Sequence, residues 1–267
     1  MSKVRRLSIP ASEAELSKYK WDWERGMWSN LQPIFTQKTC PDPERVFESF
    51  GQAETRLQGQ NKGMEYPLVL EQAYLSVCGE LRLAFDPDAA SAFGASVGSW
   101  PPFPDSSLAL AKLKDLGLSL VVLSNVDNAS FAQYVRSIYH PGPAPGFEKS
   151  KVLGPSPTRK HLEAGWEFDL VCTAEDIGSY KPDLRNFQYV LEAIDNELDV
   201  SPREVLSVAE SKYHDVHPAQ TMGLKTVWIN RPEAVMGKPK DESIQPDWEF
   251  PSMEAFAHAM ERAHGVV

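Results

Sequence analysis

Cysteine is scarce in this chain of 267 residues: Cys40, Cys78 and Cys172 stand far apart, and no two of them form a CxxC pair. Such spacing encodes neither a disulfide framework nor a zinc knuckle and fits a reducing compartment, with the cytosol as the expected location. Long apolar runs are missing as well. No stretch of about 18 apolar residues occurs, and Lys3, Arg5 and Arg6 are not followed by the apolar segment of a signal peptide, so neither membrane spanning nor secretion is expected. Positive charge is in the minority. The 27 basic and 37 acidic residues leave a formal charge of −10, which repels nucleic acid and anionic membrane, and no basic cluster offsets it. Internal repeats and low-complexity domains are also lacking.

What is present suits a globular protein able to bury a full core. A composition of 42% hydrophobic and 24% charged residues over this length fits one domain plus a small accessory one. Residues 1–20 are polar and poorly patterned, and helical spacing begins with Trp21, Met27, Trp28 and Leu31. Residues 42–60, 66–83 and 87–100 read as three further helices, bounded by Cys40-Pro41, Lys62-Gly63 and Asp86-Pro87. From Pro101 the pattern changes. An Asp105-capped helix stopped by Gly117 leads into a β-branched run at 118–123, and short strands follow at 168–173, 205–209 and 225–229. Between two of them Leu184, Phe187, Val190, Leu191, Ile194 and Leu198 put an apolar face on a helix. Alternation of this kind predicts an α/β fold with a parallel sheet covered on both faces. Residues 140–157 (HPGPAPGFEKSKVLGPSP), with five prolines, read as a surface insertion, a neutral loop in preference to a lid.

Three segments carry chemistry. Ser124 and Asn125 close an apolar strand, where a hydroxyl, an amide and nearby backbone N–H groups can hold an anionic oxygen at the carboxyl edge of the sheet. The same residues, with Asp127, are equally suited to cap the helix that begins near Asn128. Lys181 follows a strand and a turn containing Gly178 and precedes Pro182, which places a cation at the same edge. Glu210 ends another strand and Asp215 lies five residues on, a pair able to bind Mg²⁺ or to hold a lysine and a water, or simply to favour a helix N-terminus. His214 and His217 lack a third ligand at matching spacing, which argues against zinc.

These segments resemble the haloacid dehalogenase (HAD) superfamily of aspartate-nucleophile hydrolases, and more narrowly its 2-haloacid dehalogenase-like branch. Residues 120–127 (LVVLSNVD) look like the family's second motif, Tyr180-Lys181-Pro182 like the third, and residues 210–215 (ESKYHD) like the fourth. The similarity runs from about Trp21 to the end and includes WPPFPD at 100–105 and TVWINR at 226–231. The resemblance implies a Rossmann-like core over residues 98–267, an inserted helical cap over 23–97, and a degenerate N-terminal segment over 1–22. It also implies two-step hydrolysis of a small anionic metabolite through an aspartyl ester, at a halogen-bearing carbon or at phosphorus. Lys181 would neutralise the nucleophile, Ser124, Asn125 and Lys212 would orient the substrate anion, and Asp215 with Glu210 would hold Mg²⁺ or position Lys181. Glu210 replaces the family's usual Asp and Lys212 adds a nearby positive charge, so either no cofactor or Mg²⁺ fits. A homodimer and a role in secondary metabolism are compatible with the resemblance.

The first motif departs from the family. Counting back from Asp22 places Glu15 at the nucleophile position, with Lys18 and Tyr19 where Gly and Thr belong. Residues 4–9 (VRRLSI), the available central strand, carry two arginines into a position that should be buried on both faces. Three alternatives follow: an inactive binding or regulatory protein, an enzyme using Glu15 or another group, or a chain whose N-terminus is mis-joined and lacks the nucleophile.

Overall fold

The computed structural model describes residues 22–31, 42–139, 167–232, 234 and 243–266. Glu15, residues 4–9 and residues 140–157 lie outside them.

Among the described residues four helices come first: α1 (Asp22–Asn30), α2 (Pro43–Gln60), α3 (Tyr66–Glu80) and α4 (Pro87–Ala95). Prolines sit in the first turns of α2, α3 and α4, where a missing N–H costs nothing. Asp86 caps α4 by accepting the Asp88 N–H at 3.0 Å. One face of each helix enters a common cluster in which Met27, Trp28, Phe47, Phe50, Tyr74 and Phe93 are buried. Phe50 and Phe93 meet edge to face at 5.6 Å, a geometry worth about 1 kcal/mol beyond area burial. Where α3 and α4 cross, a Cβ on Gly94 would fall 2.3 Å from the Pro67 carbonyl oxygen, so only glycine fits.

The single helix expected over 87–100 is interrupted. It ends at Ala95 and is followed by a 3₁₀ turn, Val97–Ser99. The Ser96 hydroxyl donates to the Phe93 carbonyl at 2.7 Å and accepts the Trp100 indole N–H at 2.9 Å, local bonding that competes with helical continuation.

The α/β part begins with α5 (Ser106–Asp115), which stops at Gly117 in the left-handed region, φ +80°. Asp105 does not cap α5 as its sequence position predicted. Its carboxylate pairs with Arg231 at 3.0 Å and accepts the Glu254 N–H at 3.2 Å. Arg231 is almost wholly buried and lies over the Phe103 ring, so its charge is matched at the cost of the cap.

Among the described residues every strand pairing is parallel, as the alternation predicted, but the strands fall into two ladders. β1 (Val121–Ser124) pairs with β2 (Leu170–Thr173), and β3 (Leu206–Ala209) pairs with β4 (Lys225–Ile229), which pairs with β5 (Trp248–Phe250). Among the described residues no strand bonds to both β1 and β3. Helix α8 (Leu184–Leu198) joins the halves: Val190 and Ile194 pack on Leu170 and Cys172, while Phe187 and Leu191 pack on Ala219 and Leu224, with Leu123 and Val205 against both groups. On β4, Val227 and Ile229 are covered by Ala109 and Leu113 of α5 and by Phe256 and Ala257 of α10 (Met253–Ala263).

Candidate active site

The carboxyl ends of β1 and β3 face a common point. Beyond β1, Asn125 grips the Lys181 peptide at both ends: its Oδ1 accepts the Lys181 N–H at 2.7 Å and its Nδ2 donates to the Lys181 carbonyl at 3.2 Å. The Lys181 ammonium donates to the Leu123 carbonyl at 2.8 Å and to Asp215 Oδ1 at 2.6 Å. With only 9% of the residue exposed, this is a fixed cation, not a solvated lysine. An ammonium has three donors; the two bonds described leave one to meet an anion.

The local sequence explains the placement. After β2, Thr173 and Asp176 form a capping box around the short helix α7 (Ala174–Ile177), and Gly178 ends it in the left-handed region at φ +70°. The chain then turns through Ser179 and Tyr180 to Lys181, and Asp183 caps α8 through the Arg185 N–H at 3.0 Å. Of the three capping candidates after β1, Asp127 takes the role, accepting the Ser130 N–H at 2.9 Å at the start of α6 (Asn128–Tyr139). Ser124 Oγ accepts the Val126 N–H over a long 3.4 Å, leaving its own proton to donate.

After β3 the chain forms a π-helical turn, Lys212–Val216, and then α9 (His217–Thr221). Ser211 caps the turn through the His214 N–H at 3.1 Å, and its hydroxyl lies 3.2 Å from His214 Nδ1. Burial pushes the His214 imidazole down to about 4; Lys181 acts in the same direction and Asp215 opposes it. The turn delivers Asp215 to Lys181. Lys212, at the start of the same turn, is buried, and its ammonium lies 4.0 Å from the centre of the Trp228 ring. The Glu210 carbonyl accepts the Trp228 indole N–H at 2.6 Å, which fixes the ring beneath Lys212.

Ser124 and Asn125 thus follow β1, with Asn125 joined to Lys181 and Lys181 to Asp215. Glu15 lies outside the described residues. Of the pair expected to hold Mg²⁺ or to position Lys181, Asp215 is seen to position Lys181. Asp215 gives Oδ1 to an ammonium, and among the described residues no three carboxylate, histidine or cysteine side chains converge as metal ligands. The sequence reading also missed a cavity beside this site, lined by Tyr66, Asp127, Glu175 and Tyr180 among others. Its signal was the Tyr180-Lys181-Pro182 motif itself, which places an aromatic ring one residue from the fixed cation.

No family model matches the chain. In fold it is similar to a dehalogenase solved with an intermediate complex, with a TM-score of 0.65 at 18% identity over 91% of both chains. It is similar also to L-2-haloacid dehalogenase from Xanthobacter autotrophicus with chloropropionic acid covalently bound, with a TM-score of 0.65 at 16% identity over 90% of this chain and 94% of that one. The fold is that of HAD-like dehalogenases, and the ordered motifs around Lys181 resemble those of the HAD superfamily. In sequence the chain is similar to members of the type II dehalogenase-like branch: it is 26% identical over 205 residues to (S)-2-haloacid dehalogenase H-109 of Pseudomonas putida, across 72% of this chain and 78% of that protein. Phosphoserine phosphatase of Thermus thermophilus is 26% identical over 158 residues, 59% of this chain and 51% of that protein.

Proposed function

We propose that the chain is a hydrolase of the 2-haloacid dehalogenase type acting on a small anionic substrate, with helices α1–α4 as its cap. The observation that carries this reading is the Lys181 ammonium, fixed between the Leu123 carbonyl and Asp215 and gripped at its peptide by Asn125. A cation held before substrate arrives stabilises charge that develops in the transition state, with no reorganisation at the moment of reaction.

In this reading a carboxylate attacks the halogen-bearing carbon, halide leaves, and water then splits the ester to release the 2-hydroxy acid and restore the carboxylate. Phosphate monoester hydrolysis follows the same two steps at phosphorus. Lys181 pairs with the attacking carboxylate, Ser124 and Asn125 orient the substrate anion, and Asp215 holds Lys181 in place. The ammonium supplies the positive charge, so the proposed chemistry is metal-free. The nucleophile is assigned to Glu15, the residue at the family's nucleophile position.

The second reading is a protein of the same fold that binds an anion without turning it over. It is favoured by the first motif, where AELSKYK stands in place of an Asp followed by Gly-Thr. A panel of 2-chloro acids and phosphate monoesters, assayed for halide and phosphate release with Mg²⁺ and with EDTA, separates the two. Release that EDTA leaves unchanged supports the first reading. Thermal stabilisation by a panel member without any product supports the second.

A further inference from the structure

Among the described residues, Lys62, Lys112, Lys114, Lys181 and Lys225 each have a carboxylate oxygen within 3.2 Å of the ammonium. Lys212 has none there, although it is as buried as Lys181, 7% against 9% exposed. Its contact is the face of the Trp228 ring, 4.0 Å from Nζ. A ring face lowers the cost of burying the charge and takes up none of the three N–H donors. The ammonium has no hydrogen-bond acceptor among the described residues, yet it is not sealed from solvent, which leaves it open to a ligand.

The platform beneath it is rigid. Trp228 stands opposite Ala209 in the ladder of β3 and β4, and its indole N–H is fixed on the Glu210 carbonyl at 2.6 Å. Lys212 opens the π-helical turn that is closed by the Val216 N–H on the Ser211 carbonyl at 3.2 Å. Three residues on, Asp215 leaves this turn toward Lys181 on the β1 side, whereas Lys212 lies over β4. The two cations therefore flank the turn at the carboxyl edge of the strands, where open α/β sheets bind ligands. Asp215 balances Lys181, so the uncompensated charge of the two is Lys212. An unpaired buried charge is costly, and an apolar side chain would cover Trp228 without that cost.

We infer that Lys212 is a carboxylate-binding site whose ligand is a dicarboxylate, with one carboxylate on Lys212 and the other at the Ser124 and Asn125 end of the edge. One ammonium balances one unit of charge, which matches a carboxylate, whereas a phosphate group carries nearly two. β3 is the member of its ladder that meets Lys181, through Asp215, and β4 lies one strand further out. With neighbouring strands about 4.8 Å apart, the two ends are separated by on the order of 10 Å, which calls for a diacid longer than four carbons. Under the proposed function, on which this step rests, the substrate is a 2-halo dicarboxylic acid with its halogen beside the carboxylate at Ser124 and Asn125.

The test is calorimetric titration of the full chain with adipate and with hexanoate, which differ in the second carboxylate, at constant ionic strength. Adipate is expected to bind about tenfold tighter, and Lys212→Met, which keeps an apolar stem on Trp228, is expected to bring the two acids to parity. Lys212→Arg keeps the charge and is expected to keep the preference within about threefold. Equal binding of the two acids by the wild-type chain overturns the inference without any variant. So does an unchanged preference in Lys212→Met with a lowered urea midpoint, which would make Lys212 a structural residue. Chloride release from 2-chloroadipate and 2-chlorohexanoate separates this site from the proposed function. A preference for the diacid, carried in KM and lost in Lys212→Met, supports both. Release from the two at equal kcat/KM overturns the inference and leaves the hydrolase reading standing. No release from either, with the adipate preference intact, leaves the dicarboxylate site standing and removes the hydrolase reading.

Discussion

The ammonium of Lys181 lies 2.6 Å from Asp215 Oδ1, with the two side chains only 11% and 16% exposed. Removing one partner of such a pair leaves the other charge in a poorly solvated place. Asp215→Ala is expected to lower unfolding free energy by about 2 kcal/mol, less than for a fully buried pair because water reaches both groups. Urea unfolding measures it, as a shift in midpoint at unchanged slope. A shift below about 0.5 kcal/mol would mean the pair is solvated like a surface ion pair.

His214 predicts a pH dependence. Burial lowers its imidazole from 6.5 to about 4 in the folded chain. Between those values the unfolded chain binds a proton that the folded chain refuses, so stability falls as pH drops from about 6.5 to about 4. Above about 6.5 this group contributes no slope. His214→Gln is expected to flatten that part of the curve; comparing urea midpoints of the two proteins from pH 4 to 8 isolates it from the carboxylates that titrate lower.

Much of this was legible in the chain. The strand expected at 225–229 is observed as Lys225–Ile229, and Gly117 stops a helix as predicted, because both features depend on local chemistry: β-branched residues in one case, a left-handed turn in the other. Lys181 was found through its motif. What stayed hidden depended on partners distant in sequence. Asp105 reads as a cap until Arg231, 126 residues away, claims it. The stacking of Lys212 on Trp228, 16 residues away, has no local signal in the sequence. β5, only three residues long, has too little pattern to recognise before β4 is there to pair with it.

Gly94 sets the distance between α3 and α4. A methyl group there would meet backbone, the Pro67 carbonyl, at 2.3 Å, and no rotamer change relieves that contact. Gly94→Ala should destabilise the helical layer by about 2 kcal/mol despite the better helix propensity of alanine. Thermal unfolding followed by circular dichroism checks this; a raised Tm would show that the helices separate freely.

Tyr180 ties the two parts of the molecule together by donating its phenol proton to the Met64 carbonyl. Tyr180→Phe keeps the ring and leaves that carbonyl without its donor. A loss of about 1 kcal/mol is expected in urea unfolding, together with faster amide exchange around residues 61–66. Unchanged exchange there would detach the turn from Tyr180.

The most direct test of the catalytic reading is halide release from 2-chloropropanoate by the wild-type chain and by Lys181→Ala at matched folded fraction. The account predicts release by the former and none by the latter. Release that persists without the Lys181 ammonium would contradict it.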